Sequence, residues 1–279
     1  MDVVNTVNEQ TARGVGLLHK AFQILELFSA DQPSWTQAEI GRATDLTRST
    51  VSRLVRYLCG RGYLAYQERT GRYTLGYGAI ELGRRAQLQF DLASMAVDLL
   101  EDIGRNTLET VILTGFNPTA LHVVCLSQIA SQQGGLRVYQ DVGATYPLYV
   151  GASAKPVLAH LPTQMAEVVL KGPMTPINPA WVQTEDRLRA DLKTIREKGY
   201  AVSSEETYPG VAGIGAAILD PNGYPIGCIA IAVPMQRVSA DMIARYGKMV
   251  VEATAAMSER LRGALDRQSG KQAEQADIG

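Results

Sequence analysis

Cysteine and histidine are scarce in this 279-residue chain, with three of each. The cysteines (Cys59, Cys125, Cys228) lie far apart and form no CxxC pair, so neither a disulfide framework nor a zinc site is expected. The histidines (His19, His122, His160) are isolated, and no spacing suits a catalytic triad or a metal. Long apolar runs are missing as well. The runs at 211–219 and 226–233 fall well short of the roughly 20 residues of a membrane helix and read as buried strands. Residues 1–12 carry neither a basic start nor an apolar stretch, so no signal peptide is expected and a cytoplasmic location is the default. Catalytic signatures are incomplete. Gly151-Ala152-Ser153-Ala154-Lys155 begins like a nucleophile elbow but lacks the closing glycine, and Lys155 follows Ser153 by two positions rather than three. Hydrolysis of a small molecule is carried only as an alternative, and no catalytic residue, metal ligand or cofactor is expected.

Charge is unevenly spread behind a net value of −1. Residues 13–85 hold eleven Lys/Arg against six Asp/Glu, whereas residues from 86 onward hold sixteen against twenty. A basic patch confined to the first third is the electrostatic footprint of a phosphate-binding surface.

The first third also has the pattern to build such a surface. Apolar residues across 17–28 recur at helical spacing, and the stretch 31–34 breaks that helix. Thr36 and Glu39 make a capping box, with Trp35 and Ile40 as a hydrophobic staple, and open a short helix ending near Ala43. Thr44-Asp45-Leu46 is a tight turn, and Thr47 caps a third helix. That helix buries Val51, Leu54, Val55 and Leu58 and turns Ser49, Ser52, Arg53 and Arg56 outward, with Arg48 on the flank and Thr50 near the cap. No acid lies between Arg48 and Arg61. Two helices joined by a short turn form a helix-turn-helix. Arginines on the second can contact phosphates or grip guanine, and small serines permit close approach. Residues 63–66 and 72–75 read as strands flanking a glycine turn, a wing with Arg69 and Arg72 at its tip. The DNA-facing candidates are therefore Arg48, Ser49, Thr50, Ser52, Arg53, Arg56, Arg69 and Arg72.

Residues 77–90 read as a linker helix and residues 91–104 as a further helix. Strands are expected at 107–114, 120–126 and 136–142, then a short helix to about 161, a capped helix at 184–198, the strand pair 211–219 and 226–233, and a long helix from Ser239. The fold class is α+β: a winged helix-turn-helix (13–76), the linker helix, a C-terminal α/β domain with a mostly antiparallel sheet (91–265) and a polar, frayed tail (266–279).

Taken together, these segments resemble the IclR family of bacterial regulators over roughly residues 14–265. The resemblance rests on Ala21 to Leu27, Thr36 to Ala43, Arg48-Ser49-Thr50-Val51-Ser52-Arg53-Leu54, Gly62-Tyr63-Leu64 and Tyr73-Thr74-Leu75-Gly76. It continues in 147–161, Gly199-Tyr200-Ala201, Glu205 to Val211 and 227–234. It implies a transcriptional regulator, most often a repressor, that forms a homodimer or homotetramer and binds a palindromic operator on double-stranded DNA. It also implies a GAF-like C-terminal domain that binds an organic or aromatic acid. A DNA-binding architectural protein that senses nothing is a second alternative.

The family pattern places the effector pocket on Gly151, Ala152, Ser203, Val211, Gly213, Ala230 and Ala232, with Tyr149 in place of a usual histidine. Members that sense very small acids carry polar groups at several of these positions. Ser203, Gly213, Ala230 and Ala232 are small, which points to a larger and more apolar effector, an aromatic carboxylate or a relative. Gly151-Ala152-Ser153 precedes a helix, whose free N-terminal amides are expected to offer an anion site.

Overall fold

The computed structural model describes residues 4–29, 32–89, 92–133 and 140–276. Its contacts divide the chain into two compact units, Met1–Phe90 and Asp91–Gly279.

The first unit contains α1 (Val4–Glu26), α2 (Gln37–Thr44), α3 (Arg48–Gly60), the antiparallel hairpin β1 (Leu64–Gln67) and β2 (Arg72–Leu75), and α4 (Tyr77–Gln89). α1 begins well before residue 17, because nothing in the polar stretch ahead of it breaks a helix. The capping box forms as expected: the Glu39 amide donates to the Thr36 hydroxyl at 3.3 Å, and the Thr36 amide donates to the Glu39 carboxylate at 2.8 Å. Asp45, at φ 53°, turns the chain into α3, and the Thr47 hydroxyl accepts from the Thr50 amide. Ile24, Ile40, Val51, Leu54, Val55, Leu58 and Leu64 make the core, with Trp35 and Tyr73 packed against it. Trp35 and Tyr73 also exchange both backbone hydrogen bonds, so the entry to α2 is stitched to the hairpin.

The second unit opens with α5 (Leu92–Thr107), β3 (Thr110–Asn117), β4 (His122–Ile129) and β5 (Thr145–Pro147). α6 (Lys155–His160), α7 (Thr163–Lys171) and α8 (Glu185–Lys198) follow, then β6 (Ala201–Ser204), β7 (Val211–Leu219), β8 (Pro225–Pro234) and α9 (Ala240–Ala276). The six strands form one sheet in the order β5-β4-β3-β8-β7-β6, and every pairing is antiparallel. Strand alternation sorts the side chains into two cores. Ile229, Ile231 and Val233 of β8, with Val111 and Leu113 of β3, pack on α5 and α9. Cys228 and Ala230 turn to the opposite face, where Val157 and Leu158 of α6 and Leu188, Leu192 and Ile195 of α8 complete the second core. The α+β class therefore holds.

Several elements differ from the expected boundaries. The strand expected at 107–114 starts three residues later, because α5 runs on to Thr107 and Leu108 then adopts a left-handed φ of 59°. Edge strands β5 and β6 and helix α7 were not expected. β5 has three residues and ends in a proline, which only an edge tolerates. Most of the strand expected at 136–142 lies outside the described residues, and residues 140–142 are irregular. Residues 266–276, expected as a polar tail, continue the α9 backbone.

The sheet and the segment before α6 meet at contact distance. A Cβ on Gly215 would lie 2.2 Å from the Ala152 carbonyl oxygen and 3.0 Å from the Ala230 Cβ. Gly215→Ala is therefore expected to lower stability by about 1–3 kcal/mol through overpacking. Gly83→Ala, which meets nothing within 4 Å in α4, should be neutral or stabilising. Denaturant unfolding of the full chain checks both, and an unchanged midpoint for Gly215→Ala contradicts this packing.

Candidate functional site

The basic face of α3 stands on a rigid base. Val51, Leu54, Val55 and Leu58 are buried, while Arg48, Ser49, Arg53 and Arg56 are exposed and Ser52 and Thr50 half-buried. No ion pair reaches Arg48, Arg53 or Arg56 among the described residues. The hydroxyl of Thr47 lies 3.2 Å from that of Ser49 and 3.0 Å from that of Thr50, which draws Thr50 into the cap. Thr47, Arg48, Ser49 and Ser52 line a shallow concavity together with Gln37 of α2. Gln37 and Thr47 were not among the expected residues. The turn brings them in by setting the start of α2 beside the start of α3, where the Gln37 carboxamide donates to the Arg48 carbonyl at 3.4 Å.

The wing arginines separate. Arg69 is exposed in the turn between β1 and β2. Arg72, expected beside it at the tip, faces inward. Its guanidinium donates to the Ser34 hydroxyl (2.9 Å), the Ser34 carbonyl (3.0 Å) and the Glu39 carboxylate (2.8 Å). The Thr36 amide and the Arg72 guanidinium together hold the Glu39 carboxyl below its ordinary range. Arg72 thus secures the hairpin to the cap of α2, because it is the first residue of β2 and lies next to that cap rather than at the turn.

In the second unit a cleft opens on the α6 side of the sheet. Ile112, Ala230 and Ala232 form its floor, Val211, Gly213 and Ser203 one wall, and Gly151, Ala152 and Ser153 another. Gln140, Tyr146, Thr207 and Tyr208 complete it. The cavity is about 40 Å³, and its open mouth brings the empty volume to about 470 Å³. Seven of the expected effector residues meet here: Gly151, Ala152, Ser203, Val211, Gly213, Ala230 and Ala232. Tyr149 does not. Its hydroxyl donates to the Thr175 carbonyl at 3.0 Å, and its ring packs against the neighbouring core.

Two further expectations change. Two of the amides expected to be free for an anion are taken: Gly151 donates to the Glu206 carboxylate at 2.8 Å and Ala152 to the Ser203 hydroxyl at 3.2 Å. The smallness of Gly213 does not widen the cleft. A Cβ there would lie 2.8 Å from the Ser203 oxygen and 3.0 Å from the Ala152 Cβ, so that space is already filled. Sequence spacing gave no sign of Gln140, Tyr146, Thr207 or Tyr208, which come from two loops and an edge strand. Tyr146 and Tyr208 share a hydroxyl hydrogen bond of 2.7 Å. Burial first, and that bond second, push the Tyr146 phenol well above its ordinary range and keep it protonated. Burial also raises the Cys125 thiol to about 11, so it stays neutral.

Behind the cleft wall lies a buried ion pair. The Lys155 ammonium, 1% exposed, meets the Glu206 carboxylate (5% exposed) at 2.6 Å and the Asp191 carboxylate at 2.8 Å. Removing one member of such a pair strands a charge. Lys155→Met is expected to cost about 3–5 kcal/mol in denaturant unfolding, and adding Glu206→Gln should recover part of that loss. Equal stability of the single and double variants contradicts the pairing.

Among the described residues no group of His, Cys, Asp and Glu could hold a metal ion, and no helix is long and apolar enough to cross a membrane. Residues 17–68 match the IclR helix-turn-helix domain, and residues 85–259 match the family described as bacterial transcriptional regulator IclR C-terminal. The HTH-type transcriptional regulator Rv1719 of Mycobacterium tuberculosis is 29% identical over 232 residues, which cover 82% of this chain and 86% of that protein. The fold is shared with the IclR regulator of Alicyclobacillus acidocaldarius (TM-score 0.79, 23% identity, 88% of this chain and 99% of that one). It is shared too with an IclR homolog of Microbacterium hydrocarbonoxydans complexed with 4-hydroxybenzoate (TM-score 0.74, 23% identity, 88% and 99%). With a basic helix-turn-helix in one unit, a cleft in the other and family matches over both, the chain belongs to the IclR family of bacterial transcriptional regulators.

Proposed function

We propose that this regulator represses transcription by binding a palindromic operator as a homodimer or homotetramer, and that an organic acid in the cleft, an aromatic carboxylate or a relative, changes its affinity for DNA. The observation that carries the DNA reading is the face of α3: three exposed arginines and small hydroxyls, with no acid on the helix, whose other face is locked in a core. Arg69 in the wing supplies a further phosphate contact. Pairing of chains is supported by apolar side chains left exposed on the first unit, Leu17, Leu18 and Phe22 on α1 and Tyr77, Ile80 and Leu82 on α4, since large exposed apolar groups mark interaction surfaces. A dimer sets two copies of α3 at half-sites spaced by whole turns of DNA.

The effector class rests on the cleft and on the 4-hydroxybenzoate held by the Microbacterium homolog. The cavity of about 40 Å³ is smaller than the roughly 150 Å³ that holds benzene, so a ring uses the mouth as well.

Arg53→Ala is expected to weaken operator binding by about 1–3 kcal/mol if Arg53 reads a base. A phosphate contact gives instead a loss uniform across sequences and a shallower salt slope. Anisotropy titrations on the upstream DNA at two salt concentrations separate the two, and an unchanged affinity removes Arg53 from the interface. Calorimetry with 4-hydroxybenzoate against glyoxylate and pyruvate tests the effector. Tighter binding of the two small acids sinks the aromatic reading, and an operator affinity indifferent to every acid favours the architectural alternative.

A further inference from the structure

Gln140 is buried, 5% exposed, and lines the cleft. Its Nε2 has no hydrogen-bond partner among the described residues. Its own amide and carbonyl are engaged: the amide donates to the Gln128 carboxamide oxygen at 3.0 Å, and the carbonyl accepts from the Cys125 thiol at 3.9 Å. A buried amide left without a partner is a standing cost to the fold. The fold gains nothing from it, and a ligand that brings an acceptor removes it.

The charge around the cleft makes this amide matter more. Among the described residues every side chain lining the cleft is neutral. The ionised groups behind the wall are two carboxylates, Glu206 and Asp191, around the single ammonium of Lys155. Among the described residues no cation lines the cleft, and the amides of Gly151 and Ala152 are already bonded. Recognition of an oxygen therefore falls to neutral donors.

We propose that Gln140 is the polar anchor of the effector, its carboxamide N–H donating to a carbonyl or carboxylate oxygen of a compact, mostly apolar ligand. This rests on the cleft being the effector site and goes further by naming the group that selects the ligand.

The test is calorimetry on the full-length protein with benzoate and its uncharged isostere benzamide, using wild type, Gln140→Leu and Gln140→Glu. Gln140→Leu should lose about tenfold in affinity while its unliganded form melts no lower than wild type, because a lone buried amide has been replaced by an apolar group. Gln140→Glu should repel benzoate yet keep benzamide, whose own N–H groups can donate to the new carboxylate. Should Gln140→Leu fail to fold, that opposite response of Gln140→Glu decides alone. If benzoate and benzamide bind wild type and Gln140→Leu equally, the anchor is wrong and the aromatic-carboxylate reading survives. Binding of benzamide alone, lost in Gln140→Leu, keeps the anchor and overturns that reading. If neither probe binds wild type, both are overturned.

Discussion

The Glu206 carboxylate fixes the geometry of the cleft. It is buried, and it takes the Gly151 amide on one oxygen and the Lys155 ammonium on the other. A charge removed from water costs several kcal/mol unless such partners stay in place, so the loop carrying Glu206 and the segment entering α6 cannot part. The rest of the wall follows from this. Gly151 sits at φ 81°, a conformation that favours glycine, and it directs Ala152 onto β7. The Ala152 carbonyl then occupies the place a side chain at position 215 would need, and the Ala152 methyl crowds position 213. On the other side, Glu205 closes its own loop: its amide donates to the Val211 carbonyl and its carboxylate accepts from the Gly210 amide, each at 2.7 Å. Thr207 and Tyr208 are thereby presented to the cleft.

The first unit faces the opposite electrostatic task, which is to keep cations unpaired. Acids that could quench them are absent from α3, and the nearby Glu39 is fully engaged by the Thr36 amide and Arg72. Arg72 thus does two things at once: it braces the hairpin, and it pairs with the Glu39 carboxylate at the start of α2. Arg48, Arg53 and Arg56 remain as fixed positive charge on a helix that the core prevents from rotating. At physiological ionic strength charges act over roughly 8 Å, so their value depends on being carried to within contact of a phosphate. On the proposed reading, the small Ser49 and Ser52 leave room for that approach.

The helix-turn-helix could be read from sequence because its determinants are local. Thr36, Glu39 and Thr47 lie within three residues of the amides they cap, and Val51, Leu54, Val55 and Leu58 repeat at helical spacing. What spacing could not convey was the inward commitment of Arg72, whose partners Ser34 and Glu39 are more than thirty positions away. The two long strands β7 and β8 were equally evident as apolar runs, whereas β5 and β6 are short edge strands and have no such run. The small residues lining the cleft were found through family pattern, but their smallness was misread at Gly213, where the space is filled by Ser203 and Ala152. Gln140 and Tyr208 come from irregular segments, where no periodicity points to a face.

A ligand larger than the closed cavity must work against one of the ties around it, and the ties are unequal. The Lys155–Glu206 contact is an ion pair buried on both sides, on the scale of about 3–5 kcal/mol to break. The Tyr146–Tyr208 contact is one neutral hydroxyl hydrogen bond, worth about 1 kcal/mol net. On the proposed reading, a ring entering from the mouth would displace the phenol pair before it moved Gly151. A tenfold change in operator affinity requires a coupling free energy of only about 1.4 kcal/mol. That is the scale of the phenol pair and well below that of the ion pair. The cleft thus combines a wall too costly to move with a side weak enough for a small molecule to shift, the combination that lets binding energy be spent on a change of state without unfolding the site.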